Sequence, residues 1–341
     1  MITLMISILI ATGCYAQKNT SKQADNSVLN FYRNYSSFTD PGEYAYLYEN
    51  LPDSLPALCS LIKSQFIHPY GELNNYREQI PKERWNEMFT YPSVKSILEG
   101  LLSYDSSGIV NDRKPKDRLI LGCNQNAILL VSILKYRGIP ARVRSGHATY
   151  LIPEFHTSHT ICEVWNEDEM RWMLVDPSMD MVDFSREQFD FSNELWLKLQ
   201  NEEIDPNLYG IPRRYTGLVS IVGKVCTDLA SILGTEYPID QYAPILDDIF
   251  QNNQLNSKQI ETLNKISELM KAIDSESLSE LQEIYNTNPE IQITKSFGQV
   301  SKNSDNSTKP KNMSNPKIRL QVIIDLSSYF KNFIGGFVTQ R

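Results

Sequence analysis

Three absences narrow the functions open to this chain of 341 residues. Its five cysteines include no CxxC pair, so the sequence offers neither a structural zinc site nor a clustered disulfide framework. Basic residues are fewer than acidic ones, 33 against 41, which gives a formal net charge of -8. An acidic chain repels phosphate backbones, and this argues against a nucleic-acid partner. After the first few residues, no apolar run is long enough to span a bilayer. The remaining composition, 41% hydrophobic and 22% charged, is typical of a globular protein.

The first sixteen residues, 1–16, have the pattern of a secretory signal. A short apolar run is followed by small residues and then by a polar stretch. The segment 11–14, Ala-Thr-Gly-Cys, is similar to a lipoprotein signal, in which Cys14 would be lipidated; the alternatives are cleavage after Ala16 and a buried N-terminal segment. We favour the interpretation as a lipoprotein signal. It predicts an exported protein of the periplasm, outer membrane or cell surface, with the lipid on Cys14 as its membrane contact.

The rest of the chain divides by composition and pattern. The predicted segments are a polar tether at 17–30, a domain at 31–250 with its core at 111–190, a helical extension at 251–295, a disordered linker at 296–318 and a short C-terminal segment at 319–341. Within the core, residues 124–137 are apolar on nearly every side, which predicts a buried helix. Strand-like runs follow at 141–145, 160–165 and 171–175, and a polar turn joins the last two into a β-hairpin.

Cys123 stands at the predicted N-terminus of this buried helix. The positive end of the helix dipole and its free N–H groups lower the pKa of a thiol there, and the thiolate is the nucleophilic form of cysteine. The position therefore predicts a reactive cysteine. The competing interpretation is a buried structural cysteine, although such a residue would more naturally sit in the middle of the helix among the leucines.

His159 and Asp176 flank the predicted hairpin. Taken alone, a strand histidine and an aspartate before proline are both usually structural. If Trp165 pairs with Met170 across the turn, however, the same register places His159 opposite Asp176. Directly opposed residues have Cβ atoms ~5 Å apart, within reach of the carboxylate–imidazole hydrogen bond that orients a general base.

The other histidines and cysteines have structural interpretations. His156 is the rival general base, but its place in a predicted loop favours an exposed or rim position, and His147 is read as structural. Cys162 falls on the strand face opposite His159 and Ile161, which predicts a core residue. The remaining cysteines of apolar helical patterns, also predicted to be core, are Cys59 and Cys226.

Together these motifs resemble the transglutaminase-like superfamily. The similar segments are Gly122-Cys123 with the apolar helix, Arg-Gly-Ile-Pro-Ala-Arg-Val at 137–143, the strand 159–165, and 172–177 ending in Asp-Pro. The resemblance implies a papain-like α+β fold, in which the cysteine-bearing helix packs on an antiparallel sheet with additional helices on both sides. It also implies a Cys123–His159–Asp176 triad that needs no metal and no organic cofactor.

A bacterial subgroup of transglutaminase-like proteins, of poorly defined function, is similar over roughly 50 to 245. Its features occur here at 58–59, 67–69, 144–146, 148–150, 205–206, 209–211 and 228–233. The chain departs from that subgroup at Asn124-Gln125, where Arg-Asp is frequent, and at Thr160, where Trp is frequent. Both departures bear on substrate contacts and on the surroundings of the oxyanion, and neither changes the triad.

The sequence therefore predicts an exported cysteine hydrolase or acyl transferase acting on a peptide, protein or similar amide. Hydrolysis is favoured over cross-linking because water is abundant and no amine-donor site is visible. The backbone N–H of Cys123 is expected to form one half of an oxyanion hole, with the second donor unassigned. The alternative function is a catalytically silent binding or scaffolding domain of a surface lipoprotein, which the departures at Asn124-Gln125 and Thr160 leave open.

Overall fold

A computed structural model of the chain describes residues 25–238 and 241–296. The predicted signal sequence with Cys14 lies outside the described residues, as do the C-terminal segment 319–341 and nearly all of the linker 296–318. The described part is an α+β fold, as the sequence predicts. No helix within it is long and apolar enough to cross a membrane.

The regular elements are numbered along the chain. The α-helices are α1 (Asn26–Arg33), α2 (Leu55–Gln65), α3 (Leu73–Tyr76), α4 (Val94–Tyr104), α5 (Cys123–Tyr136), α6 (Ser192–Gln200), α7 (Leu218–Ile232), α8 (Ile245–Asn252), α9 (Ser257–Leu269) and α10 (Ser275–Thr287). The strands are β1 (Phe66–Ile67), β2 (Leu119–Ile120), β3 (Ala141–Ile152), β4 (Phe155–Asn166), β5 (Arg171–Asp176), β6 (Met181–Val182), β7 (Phe189–Phe191), β8 (Tyr209–Ile211), β9 (Tyr215–Thr216), β10 (Gln241–Tyr242) and β11 (Lys295–Ser296).

A seven-stranded sheet organises the part of the chain that carries the predicted triad. Its main path runs β6-β5-β4-β3-β7 with antiparallel neighbours, and β8 extends it by pairing in parallel with β4 and antiparallel with β9. Two smaller pairs lie apart from this sheet: β1 with β2 in parallel, and β10 with β11 antiparallel.

Helix α5 packs on β3 and β4 and is enclosed along all but its last residue. Every residue from Cys123 to Lys135 is buried, which confirms the prediction from its apolar surface. The facing side chains of the sheet are small or branched: Ala141, Val143, Cys162, Val164 and Val175. Gly138 ends the helix with φ 72°, a left-handed conformation that glycine adopts without a Cβ penalty.

A second core forms from α6 to α10. Trp196 of α6, Leu229 of α7, Leu263 of α9 and Leu281 of α10 are all buried in it. The helices predicted as an extension at 251–295 thus share a core with the helices that precede them. The hydrophobic core continues across the predicted boundary at residue 250.

The tether predicted at 17–30 is too long at its C-terminal end. Asp25 caps α1 by accepting the N–H of Ser27 at 2.9 Å. The helix buries Leu29 and Tyr32, and the Tyr32 hydroxyl donates to the carbonyl of Ile232 at 2.9 Å. The polar composition of 17–30 concealed this helix, whose buried residues are only Val28, Leu29 and Tyr32.

The hairpin prediction is right in its elements and wrong in its register by two residues. Trp165 pairs with Trp172 rather than with Met170, because Met170 adopts a left-handed conformation at φ 52° and belongs to the turn. A shift of two residues keeps every side chain on its own face of the sheet. Asp176 is therefore a diagonal neighbour of His159 and not its direct partner, a separation that long side chains can still bridge.

A buried ion pair joins α7 to β3. Arg144 donates from Nε and Nη2 to the two carboxylate oxygens of Asp228, both at 3.0 Å, and from Nη1 to Glu163 at 2.7 Å. Asp228 has no exposed surface and also accepts the backbone N–H of Ser145 at 2.7 Å. Two segments noted for their family resemblance, 144–146 and 228–233, thus meet in one contact that joins helix to strand.

We expect Asp228→Ala to destabilise the protein by about 3–5 kcal/mol, because it leaves the buried Arg144 guanidinium short of a counter-charge. Urea-induced unfolding measures the loss. Glu43→Ala is the matched control: it breaks the Glu43–Lys95 ion pair, whose side chains are 61% and 46% exposed, and should leave the unfolding midpoint almost unchanged. Similar shifts for the two variants would contradict the structural role of Asp228.

Candidate active site

Cys123 is the first residue of α5 and its side chain is 8% exposed. The turn before it is held by its neighbours: Gln125 Oε1 accepts the N–H of Gly122 at 3.2 Å, and Asn126 Nδ2 donates to the Gly122 carbonyl at 2.9 Å. Gln125, one of the departures from the subgroup pattern, thus has a structural role. Within the described part of the chain, the backbone N–H of Cys123 has no hydrogen-bond acceptor.

His159 and Asp176 lie together as the sequence predicts. His159 Nε2 is 2.7 Å from Asp176 Oδ2, and the two side chains are buried. His159 and Cys123 shift each other's pKa, which places the imidazole ring beside the thiol. Because Nε2 is already engaged by the carboxylate, we assign Nδ1 to the side of the ring that faces the thiol. The structure thus brings the three predicted residues together in one site.

Asp176 is held in place by donors on both of its oxygens. Tyr150 donates its hydroxyl to Oδ2 at 2.7 Å, beside the bond from His159. Oδ1 accepts the backbone N–H of Ser178 at 2.9 Å, the Ser178 hydroxyl at 2.6 Å and the N–H of Met179 at 3.2 Å. A carboxylate with this many donors is restrained in position and is stabilised in its charged form.

The charges of the site shift all three pKa values in the directions of an ion-paired nucleophile. Burial alone would raise the pKa of the Cys123 thiol, but His159, hydrogen bonds from His159 and His68, and the charge of Lys224 hold it well below its usual value. Burial opposes protonation of His159, yet Asp176 and Cys123 raise its pKa. The pKa of Asp176 is lowered despite burial, chiefly by His159. The favoured state is a thiolate beside an imidazolium.

A second histidine also contacts this cysteine, and its place follows from the pairing of β1 with β2. Ile67 is aligned with Ile120, and the N–H of Leu121 donates to the Ile67 carbonyl at 3.2 Å. Parallel strands end at the same edge of a sheet. The residues that follow β1 and β2 therefore meet, which brings His68 to Cys123.

The ring of His68 is fixed by the backbone and lies beside the thiol. Its Nδ1 is 2.9 Å from the carbonyl oxygen of Tyr70 and 3.2 Å from the Tyr70 backbone nitrogen, and the ring and Cys123 shift each other's pKa. Burial would lower the pKa of His68, but the bond to the thiol and the negative charges of Cys123 and Glu72 raise it. Sequence reasoning missed this residue, although the motif at 67–69 was noted for its resemblance to the bacterial subgroup.

The rival histidines make their hydrogen bonds to other groups. His156 belongs to β4, not to a loop, where its Nδ1 is 2.5 Å from Asp190 Oδ2 and its ring stacks on Tyr209. His147 is fully buried in β3, and its Nε2 is 2.9 Å from the Ser220 hydroxyl. Burial holds the pKa of His147 well below its usual value, which keeps the ring neutral.

The other described cysteines are free thiols within the cores. Burial raises the pKa of Cys59 and of Cys226 to about 12, and raises that of Cys162 as well. Cys162 packs against α5, where its thiol contacts the carbonyl of Ala127 at 3.5 Å, whereas Ile161 packs in a separate cluster. Among residues 25–238 and 241–296, no group of three or more His, Cys, Asp or Glu side chains could hold a metal ion.

Comparison with known proteins adds one weak likeness. No family model matches the chain, and no curated protein is a significant match. A solved structure named "Putative Cysteine Protease from Cytophaga hutchinsonii" is similar over 38% of this chain and 45% of that chain, with 16% identity and a TM-score of 0.18. So low a score carries no argument about function, which has to rest on the geometry of Cys123, His159 and Asp176.

Proposed function

We propose that the chain is a transglutaminase-like cysteine enzyme that transfers acyl groups, with water as the preferred acceptor. One observation carries the proposal: a thiol at the N-terminus of a buried helix lies beside His159, whose Nε2 is 2.7 Å from the carboxylate of Asp176. This arrangement of nucleophile, base and orienting carboxylate is the one that activates a cysteine for attack on a carbonyl.

Each residue has a defined part in the proposed reaction. The Cys123 thiolate attacks the carbonyl carbon of an amide, and the imidazolium of His159 gives its proton to the departing amine. His159 then accepts a proton from water, which attacks the thioester and releases the acid. Asp176 keeps Nε2 of His159 engaged throughout, so that Nδ1 faces the sulfur. Peptides, proteins and similar amides are the proposed substrates.

The pH dependence of Cys123 alkylation tests this proposal. Because the pKa of the thiol is lowered and that of His159 is raised, thiolate is present across a wide range of pH. We expect the rate of alkylation by iodoacetamide, followed at Cys123 by peptide mapping, to reach half its plateau well below pH ~8.5, the pKa of a free cysteine. A midpoint near that value would instead favour the silent binding domain.

We also propose that the protein is exported, and this part of the proposal rests on the sequence alone. The segment 11–14 is the reason to propose a lipid on Cys14 and a location in the periplasm, outer membrane or cell surface. The mass of the mature N-terminus distinguishes a lipidated Cys14 from cleavage after Ala16.

A further inference from the structure

Attack on a carbonyl creates a negative charge on oxygen that the triad itself does not stabilise. The backbone N–H of Cys123, at the positive end of α5, has no acceptor among the described residues and is one donor for that oxygen. An oxyanion hole usually has at least two donors, and each contributes substantially to the rate. The second donor has to lie beside Cys123, on a group other than His159, because His159 is committed to the leaving group.

His68 meets these requirements by its position. A Cβ placed on Gly122 would lie 4.0 Å from His68 Nε2, so the ring approaches the turn that carries the free N–H of Cys123. Glycine at 122 leaves the intervening space unfilled by a side chain. His68 and Cys123 shift each other's pKa, so the same ring is next to the sulfur that becomes bonded to the substrate.

The hydrogen bonds of the ring allow Nε2 to be a donor in two protonation states. His68 Nδ1 lies 2.9 Å from the Tyr70 carbonyl oxygen and 3.2 Å from the Tyr70 backbone N–H, which donates to it. In the neutral ring, an Nδ1 that accepts this N–H leaves the proton on Nε2, and in the imidazolium both nitrogens carry a proton. Glu72 lies close by, and its carboxylate accepts the His68 backbone N–H at 2.8 Å, which stabilises positive charge on the ring. Asp176 bonds to the ring of His159 instead.

We propose that His68 is the second donor of the oxyanion hole and that its Nε2–H binds the oxygen of the tetrahedral intermediate; this inference rests on the proposed function. As the S–C bond forms, the π electrons of the carbonyl move onto oxygen, so the negative charge passes from sulfur to an atom beside the same ring. The proton of His68 stays on Nε2. When the intermediate collapses, the electrons return to the carbonyl, the bond to the leaving group breaks, and His159 protonates an amine leaving group.

Two chemical probes separate this role from an effect on the thiolate. Acylation by p-nitrophenyl acetate passes through an oxyanion and releases p-nitrophenolate, which needs no proton from His159. Alkylation by iodoacetamide displaces iodide at a saturated carbon and forms no oxyanion. The ratio of the two rate constants, each taken on the plateau of that variant's own pH profile, reports the oxyanion donor alone.

The decisive variants are His68→Gln and His68→Asn, which carry the same amide at different reach. Glutamine extends its amide to the place of Nε2 and can donate to the oxyanion. Asparagine places its amide near the position of Nδ1, where it bonds to the Tyr70 carbonyl but does not reach the oxyanion. His156→Gln is a control, because it changes a histidine bonded to Asp190 outside the site.

We expect the acylation-to-alkylation ratio of His68→Asn to fall by roughly 10²-fold or more, the usual loss for one oxyanion donor. The ratio for His68→Gln should stay within about tenfold of the ratio for the unsubstituted protein. The ratio for His156→Gln should equal that of the unsubstituted protein. Equal ratios for His68→Asn and the unsubstituted protein would overturn the inference, as would equal losses in His68→Asn and His68→Gln. Failure of the unsubstituted protein to be acylated at Cys123 would instead overturn the proposed function.

Discussion

Replacement of Cys123 by alanine is expected to lower the rate of p-nitrophenyl acetate turnover by roughly 10⁴-fold or more, since loss of a catalytic nucleophile removes nearly all enzymatic rate enhancement. Covalent labelling by iodoacetamide should disappear at the same time. Burst release of p-nitrophenolate and the intact mass of the alkylated protein measure the two effects.

Cys226→Ala is the matched control for this experiment. Cys226 is buried in the second core, and burial raises the pKa of its thiol to about 12, so it contributes no thiolate near neutral pH. This variant should keep both the burst and the label. Full labelling of the Cys123→Ala protein would show that another thiol is the reactive one.

Asp176→Asn is expected to reduce turnover by roughly 10³–10⁴-fold while the fold is retained. Both oxygens of Asp176 accept hydrogen bonds, Oδ2 from His159 and Tyr150, and Oδ1 from Ser178. An amide must present its nitrogen to one set of these donors, and either orientation breaks the network. Since Asp176 raises the pKa of His159, we also expect the imidazolium, and with it the thiolate, to persist over a narrower range of pH.

The pH profile of iodoacetamide alkylation and the steady-state rate together check this second result. Asp183→Asn provides the control, because Asp183 lies close along the chain but pairs with the exposed Arg171. It should leave the alkylation midpoint and the rate unchanged. An Asp176→Asn enzyme with the midpoint and turnover of the unsubstituted protein would exclude a role for this carboxylate in orienting His159.

The candidate site could be predicted where strong patterns carry it. Helix α5 is predicted from a surface that is apolar on nearly every side and from Gly138 at its end, so the sequence alone places Cys123 at a helix N-terminus. The alternation of the hairpin strands gives the correct faces. The exact pairing depends on the conformation of Met170, which nothing in the residue type specifies, and hence the register was wrong by two residues.

His68 could not be found in the same way. The strands that bring it to Cys123 contribute two residues each, too few to show any alternation. Their pairing joins segments more than fifty positions apart in the chain, and periodicity carries no information over such a distance. The family resemblance marked the segment 67–69 without giving its histidine a role.

The fold beyond the core was less predictable for a related reason. Helix α1 and the helices α9 and α10 depend on partners elsewhere in the chain, so the polar composition of 17–30 suggested a tether and residue 250 a boundary. The same holds for the contact between Arg144 and Asp228, whose members are separated by 84 positions. Local pattern indicates which elements form, and tertiary contacts decide where they end and what they touch.

The contact of Asp228 with the backbone of Ser145 has a consequence for solubility. Among the described strands, β7 covers only the stretch 146–148 on its side of β3, and the backbone N–H of the preceding residue, Ser145, is bonded to Asp228 of α7. An uncovered strand edge is a template for pairing with other molecules. We therefore expect a chain in which α7 has not yet docked to expose this N–H of β3 to strands of other copies.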